Sequence, residues 1–328
     1  MSRKVTWKKG MRLSSELFTA ADNANYETLR SVALLASTGR MGLYASSRGF
    51  ELSVNINNNT LEVTSLSCCG ITRSGRIVDI CFSSDYSNTF DTRLTIPAGN
   101  DGGKFLIVVK MHDGQWREVN DTYSEAKYTF ELLAANSAID DNSLPVGCIV
   151  NQYGWRLNDV DFVPPCLYIA AHPLHVKQYN CAKTVLQSVA NKCREAKNCV
   201  AITFMSVVWP QVCNAYLWLE RDFHALTPSQ LFVTLQQFVN AFVIGCQLDS
   251  NVNLEDQEPF CTYVRKSFDV KNAYADIEQG LALCTQISTK VDAVCAIVEN
   301  TLVPEPPKPR EEPPKPSSGR NRWAGLEI

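Results

Sequence analysis

At 328 residues the chain is long enough for one large domain or two ordinary ones. Hydrophobic residues make up 45% and charged residues 20%, which places it with globular proteins and excludes a wholly disordered chain. The formal net charge of -3 argues against nucleic acid or an anionic membrane surface as the main partner, because both demand a basic field; a local basic patch stays open.

The start, Met1-Ser2-Arg3-Lys4-Val5, runs into Thr6-Trp7-Lys8-Lys9-Gly10 with no apolar core segment, so no secretory signal is expected. No stretch reads as long and apolar enough to cross a bilayer, the richest being Val200 to Val208. The 13 cysteines are odd in number and sit mostly among apolar neighbours, as in Leu281-Ala282-Leu283-Cys284. They read as reduced, buried thiols in a cytoplasmic protein.

From Phe50 to Ile169 the pattern is that of strands. Leu52, Val54 and Ile56 alternate with polar residues, Asn57-Asn58-Asn59 supplies a turn, and Leu61 and Val63 resume the alternation. Asn100-Asp101-Gly102-Gly103 predicts another turn before the apolar run Phe105 to Val109. Asp113-Gly114 reads as a hairpin tip, with Tyr128, Phe130 and Leu132 alternating on a later strand. Short strands separated by turn residues predict a sandwich.

From Pro173 to about Leu302 the period becomes helical. Tyr179, Ala182, Val185, Val189 and Cys193 share one face. Pro210 removes an amide and should kink or divide the helix that contains it. Thr227-Pro228-Ser229-Gln230 is a helix start, with Thr227 as cap and Gln230 completing a capping box. Leu231, Leu235, Phe238 and Phe242 then form one stripe. Val270, Ile277, Cys284, Val291 and Val298 repeat every seven residues, with Ile287 and Val294 between them. Two readings fit that repeat: the core of an intramolecular bundle, or a seam between three copies.

The segment Val303 to Ile328 differs in kind. Its prolines interleave with Glu, Lys and Arg, which predicts an extended, solvated tail, and it closes on Trp323-Ala324-Gly325-Leu326-Glu327-Ile328. That apolar end fits either a frayed terminus or a tethered peptide that docks on a partner.

Reactive chemistry finds little support. Gly99 to Lys104 lacks the Ser or Thr after the lysine, and the following helix, that a phosphate loop needs. His172 and His175, with Cys181 and Cys193 beyond, can be drawn as a zinc site, but no Cys-x-x-Cys pair supports it. The competing reading puts both histidines, half exposed, at the hinge between the strand and helical zones. Cys68 and Cys69 should point to opposite faces of a strand. No nucleophile elbow or dinucleotide fingerprint appears, so no enzyme, metal or cofactor is expected.

Several motifs in chain order resemble a known family. Asp161-Phe162-Val163-Pro164-Pro165-Cys166-Leu167, followed by Ile169-Ala170-Ala171-His172-Pro173-Leu174, is similar to the strand-to-helix junction of the TssK family of type VI secretion systems. Val5-Thr6-Trp7-Lys8-Lys9-Gly10-Met11 with Leu13 and Phe18, then Gly70 to Gly75, Leu144-Pro145-Val146-Gly147, Thr227 to Phe232, and Glu258-Pro259-Phe260 with Tyr263 resemble further family segments. The resemblance spans residues 5 to 302. It departs at Ser15-Glu16-Leu17 and at Arg73-Ser74, where the family has Pro-Gln-His and Pro-Asp.

What the resemblance implies is an α+β chain with a β-sandwich shoulder like those of phage receptor-binding proteins (1–172), a helical neck (173–302) and a flexible tail (303–328). The chain enters the tail with no head domain before it, which implies a divergent, Bacteroidetes-like branch. The implied role is a structural, homotrimeric baseplate adaptor in the cytoplasm, joining wedge subunits to the membrane-anchored complex without entering the membrane. Trp7, Leu13 and Phe18 are expected to face the wedge, although packing onto the sandwich explains them equally well. Leu231, Leu235, Phe238, Phe242, Ile277, Val291 and Val298 are expected at the trimer axis, and Trp323 and Leu326 at the membrane partner. The alternatives are a phage tail baseplate or receptor-binding protein, and a hydrolase with its site near Asp161, His172 and His175.

Overall fold

A computed structural model describes residues 5–83, 91–97, 103–118, 124–195, 202–220, 223–249 and 256–301. The chain opens with a helix, α1 (Ser15–Ser37), that the sequence reading did not anticipate. Its start has the form Ser14-Ser15-Glu16. Its end is a left-handed turn in which Thr38 (φ 53°) and Gly39 donate their amides to the carbonyls of Leu35 and Leu34 at 3.2 and 3.0 Å. Those crossed bonds satisfy carbonyls that the last helical turn would otherwise leave open.

Among the described residues nine strands follow, all paired antiparallel in two sheets. In the first, the long strand β3 (Thr60–Ile71) pairs with β1 (Gly42–Leu43), β2 (Glu51–Asn57), β4 (Ile77–Phe82) and β5 (Arg93–Thr95). The second has the order β7 (Ser124–Ala134), β6 (Lys104–Glu118), β8 (Ser143–Asn151), β9 (Trp155–Leu157). The β2–β3 hairpin turns where the three asparagines predicted it, and Asn58 adopts φ 52°, a left-handed conformation that asparagine tolerates. Asp113-Gly114 is a correction: it lies inside β6, beside the register shift between Met111 and Trp116, and not at a hairpin tip. An extra residue in one strand uses the same permissive residues as a turn does.

The two sheets pack face to face. Leu61, Val63, Leu66 and Ile80 of the first share one core with Ile107, Val109, Phe130 and Leu144 of the second. The alternation read at Leu52, Val54 and Ile56 supplies part of that inner face, and each is half buried against the core. The expected α+β class, antiparallel sheets first and helices after, is what the chain adopts.

Among the described residues five α-helices form the second part: α2 (Pro173–Glu195), α3 (Ile202–Leu219), α4 (Pro228–Leu248), α5 (Glu258–Arg265) and α6 (Ala273–Thr301). Their core gathers Leu186, Val189, Phe204, Leu235, Phe238, Phe242, Tyr263, Ile277 and Cys284. Thr227 caps α4 as read: its hydroxyl accepts from the Gln230 amide at 3.2 Å, and the Gln230 side chain accepts from the Thr227 amide at 2.9 Å. Pro210 does not divide its helix; α3 continues through it, with the proline on the exposed side. A second correction concerns α4, which at 21 residues and a mean hydropathy of 1.4 is long and apolar enough to cross a membrane by length and composition. Within this fold, 61% of that apolar stretch is buried inside the chain. The proline-rich segment 303–328, with Trp323 and Leu326, lies outside the described residues.

Candidate functional site

Three places concentrate the residues that the sequence singled out. The first is the N-terminal arm. Trp7, Leu13 and Phe18 are 49%, 61% and 51% exposed, and the Trp7 and Phe18 rings sit 5.7 Å apart, so the arm folds back onto the start of α1. Leu29, Val32 and Leu35 continue this apolar exposure along α1. Single exposed hydrophobes are ordinary, but six on one arm and helix form a surface that water disfavours.

Among the described residues, α1 is anchored through one side. Arg30 Nε donates to the Ser74 carbonyl at 2.7 Å, and the Glu27 carboxylate forms an ion pair with the nearly buried Arg76 guanidinium at 3.2 Å. Arg76 also stacks 4.7 Å above the Tyr26 ring, and the Tyr26 hydroxyl reaches the Met111 sulfur at 3.7 Å. Gly75 makes the close approach possible. It holds φ 85°, and a Cβ there would lie 2.5 Å from Leu34 Cγ and 2.9 Å from the Arg30 carbonyl. The segment Gly70–Gly75, singled out for its resemblance, is thus a neighbour of the C-terminal half of α1 in space.

The second place is the strand-to-helix junction. Pro165 accepts a 2.7 Å bond from the Leu43 amide, and Leu43 accepts a 2.8 Å bond from the Leu167 amide. Pro-Pro-Cys-Leu is thereby clasped to β1. Gly42 leaves room for it, since a Cβ there would stand 2.9 Å from the Pro165 carbonyl oxygen. Cys166 lies under the clasp, and burial pushes its thiol well above the ordinary range.

His172 and His175 differ from the half-exposed expectation: they are 8% and 1% exposed. Burial depresses the His172 pKa to about 4 and lowers that of His175, so both imidazoles are neutral at pH 7. His172 Nδ1 accepts from the Leu174 amide at 3.2 Å, its ring lies 4.9 Å from Phe50, and His175 bonds Gln178 at 2.9 Å. Gln178 then donates to the Tyr274 carbonyl and to Glu278 at 2.9 and 3.1 Å, tying α2 to α6. These imidazoles are structural, and among the described residues no three His, Cys, Asp or Glu side chains converge as a metal site. The described cysteines are free thiols. Cys68 and Cys69 do point to opposite faces, Cys68 into the sheet core and Cys69 toward Asp79 at 3.3 Å.

The third place is the bundle. Leu231, Leu235, Phe238, Phe242, Ile277 and Val291, expected at a seam between copies, are each 0% exposed inside this chain's own core. A side chain enclosed by its own chain offers a neighbouring copy no surface, so within this fold these positions are bundle core. A seven-residue repeat records only that a face is buried, not which chain buries it. Val298 lies on α6, its side chain outside the described set.

Neither a protein-family model nor a curated protein sequence matches the chain. Solved structures do. A crystal structure of TssK superposes with a TM-score of 0.59 at 15% identity, over 88% of this chain and 70% of that one. The chain has a TssK-like fold. A cryo-electron microscopy structure of the TssK-TssF-TssG baseplate subcomplex of the type VI secretion system gives 0.58 at 14% identity, covering 88% of this chain and 99% of the matched one. TssK from the EAEC type VI secretion system, bound to a nanobody, gives 0.57 at 13% identity over 83% and 68% of the two chains. The TssK-like fold therefore takes in sheets and bundle together.

Proposed function

We propose that this chain is a structural baseplate component of a type VI secretion system, working as a cytoplasmic homotrimeric adaptor. The observation that carries the reading is the extent of the likeness, since one superposition spans 88% of the chain and so includes both the sheets and the helices. An isolated sandwich would suit many attachment proteins, whereas a sandwich continuous with this bundle is a narrower match. Its partners in this reading are counterparts of TssF and TssG, with which the matched protein forms a baseplate subcomplex.

The exposed arm supports a wedge-facing role for Trp7, Leu13 and Phe18, since aromatic side chains on a surface commonly anchor protein partners. In the same reading residues 1–172 form the shoulder, 173–302 the neck and 303–328 a tail whose Trp323 and Leu326 contact the membrane-anchored complex. The test is co-purification with the wedge subunits produced from neighbouring genes. Trp7→Ala is expected to weaken wedge capture at least tenfold without altering the mass or melting temperature of the chain. Capture at the original level, or a phage tail locus in place of wedge and sheath genes, defeats this reading.

A further inference from the structure

Charge is unevenly spread along the chain. Among the first 13 residues Arg3, Lys4, Lys8, Lys9 and Arg12 are basic and none is acidic, so all 34 acidic residues of this net-negative chain follow Leu13. Lys8, Lys9 and Arg12 are exposed, and among the described residues they form no ion pair. Elsewhere the surface pairs its basic residues with carboxylates, as in Arg48 with Asp79, Arg93 with Glu62 and Lys183 with Glu220.

The arm presents these cations in a defined place. Gly10 has φ 83° and the Met11 amide donates to the Lys8 carbonyl at 3.1 Å, which closes a tight turn across Lys9. Trp7, just before the turn, is seated against Phe18, so the cations stand beside the exposed side chains of Trp7, Leu13 and Phe18. On α1, Phe18, Leu29 and Val32 occupy the side opposite Glu27, Arg30 and Leu34, the residues that meet the sheets. Apolar side chains and unpaired cations therefore share one exposed surface.

That juxtaposition says what kind of partner fits. Anything that covers Trp7 and Phe18 also strips water from Lys8, Lys9 and Arg12. The lost hydration opposes binding unless the partner supplies carboxylates in its place. The surface therefore selects a partner that is apolar and acidic at once. An anionic bilayer offers both, but it is negative everywhere, and Asp22 stands exposed on the outer side of α1, one turn after Phe18. A protein segment can set its carboxylates opposite the arm and place neutral groups near Asp22. We propose that the arm and the outer side of α1 form the docking site for an acidic, apolar-containing segment of a partner protein. Lys8, Lys9 and Arg12 pair with its carboxylates, and Trp7, Leu13 and Phe18 pack on its apolar side chains. This rests on the baseplate reading for which protein supplies the segment, a wedge subunit, and adds the charge that the subunit must bring.

The experiment is capture of wedge subunits, produced from the neighbouring genes, on the full chain at two salt concentrations, with circular dichroism to follow folding. Capture is expected to fall at least tenfold between about 50 and about 500 mM salt, because screening weakens exposed charge pairs. The triple variant Lys8→Glu/Lys9→Glu/Arg12→Glu alters exposed positions, so it should keep its helicity. It should lose at least tenfold in capture at the lower salt and become nearly insensitive to salt. Vesicles with about one-third anionic lipid should not bind the chain. Vesicle binding that the triple variant abolishes puts a membrane in place of the acidic protein and overturns the proposal. Undiminished capture by the triple variant, with capture still lost in Trp7→Ala, also overturns it and leaves the baseplate reading standing. If the unaltered chain captures no wedge subunit, it is the baseplate reading that fails. A labelled synthetic peptide alternating Glu with Leu, set against its Gln counterpart, then decides the chemistry. Tighter binding of the Glu peptide, lost in the triple variant, upholds the acidic partner, and equal binding of the two peptides overturns it.

Discussion

Helices α1 and α4 are nearly equal in length, 23 and 21 residues, yet they are held in opposite ways. Twelve residues of α4 are buried, and its inner stripe is enclosed by α3, α5 and α6. In α1 only Ala33 and Ser37 are buried, while Phe18, Leu29, Val32 and Leu35 meet solvent. The bundle is held by apolar area, which is non-directional and shared over many residues. By contrast, α1 is held by a few directional contacts near its C-terminal half. Stability in this chain is therefore unevenly distributed, and substitutions in the two regions should differ in kind as well as in size.

The largest effect is expected in α4. Phe238→Ala leaves a cavity in a core with no exposure and should cost about 3–5 kcal/mol, seen as a lower urea midpoint for the whole chain. A loss below about 1 kcal/mol would show that the bundle collapses easily, and the contrast with α1 would fail.

Next comes the joint between sheets and bundle. His172 has a folded pKa of about 4 against an ordinary value of 6.5. Above pH 6.5 both states are unprotonated and the group contributes nothing. As pH falls below 6.5 the unfolded chain takes up a proton that the folded chain refuses. Stability is then lost progressively, by on the order of 3 kcal/mol near pH 4. His172→Asn retains an acceptor for the Leu174 amide and should flatten this part of the acid slope in urea titrations at pH 7 and 4.5. Equal slopes for the two proteins would remove His172 from the account.

The smallest effect belongs to α1. Gly75→Ala imposes a side chain on a left-handed residue and drives Cβ into Leu34, a cost of about 2 kcal/mol. Because α1 meets the sheets at so few points, the chain should relieve that strain by releasing the helix. Limited proteolysis should then cut within residues 15–37 at least tenfold faster, while the main melting transition moves little. Unfolding of the sheets together with α1 would mean that the two are one cooperative unit.

How much of this was legible in the sequence depended on whether the relevant face is buried by the chain itself. Alternation at Leu52, Val54 and Ile56, the Thr227 cap, and the stripe through Leu235 and Phe238 all report local geometry or self-burial, and the fold follows them. Helix α1 escaped notice because Thr19, Asn23, Asn25 and Thr28 dilute its period and its apolar residues do not converge on one inner stripe; Ser14-Ser15-Glu16 and Thr38-Gly39 were the usable signals. Asp113-Gly114 misled because a bulged strand and a turn favour the same residues. The stripe expected at a seam between copies lies in the bundle core for a more general reason. Periodicity reports that a face of α4 is buried, and not which chain buries it. That distinction emerges only once exposure is known.

The two backbone bonds between Leu43 and the Pro165–Leu167 segment have a mechanical consequence. Chain leaving α1 enters the sheets at β1, and chain leaving the sheets toward the bundle passes the same residue. A tensile load applied between the N-terminal arm and the helices would cross that clasp directly, bypassing strands β2 to β9 between. The sandwich would then ride beside the line of force without being stretched by it, and the first element to yield under pulling would be a pair of hydrogen bonds.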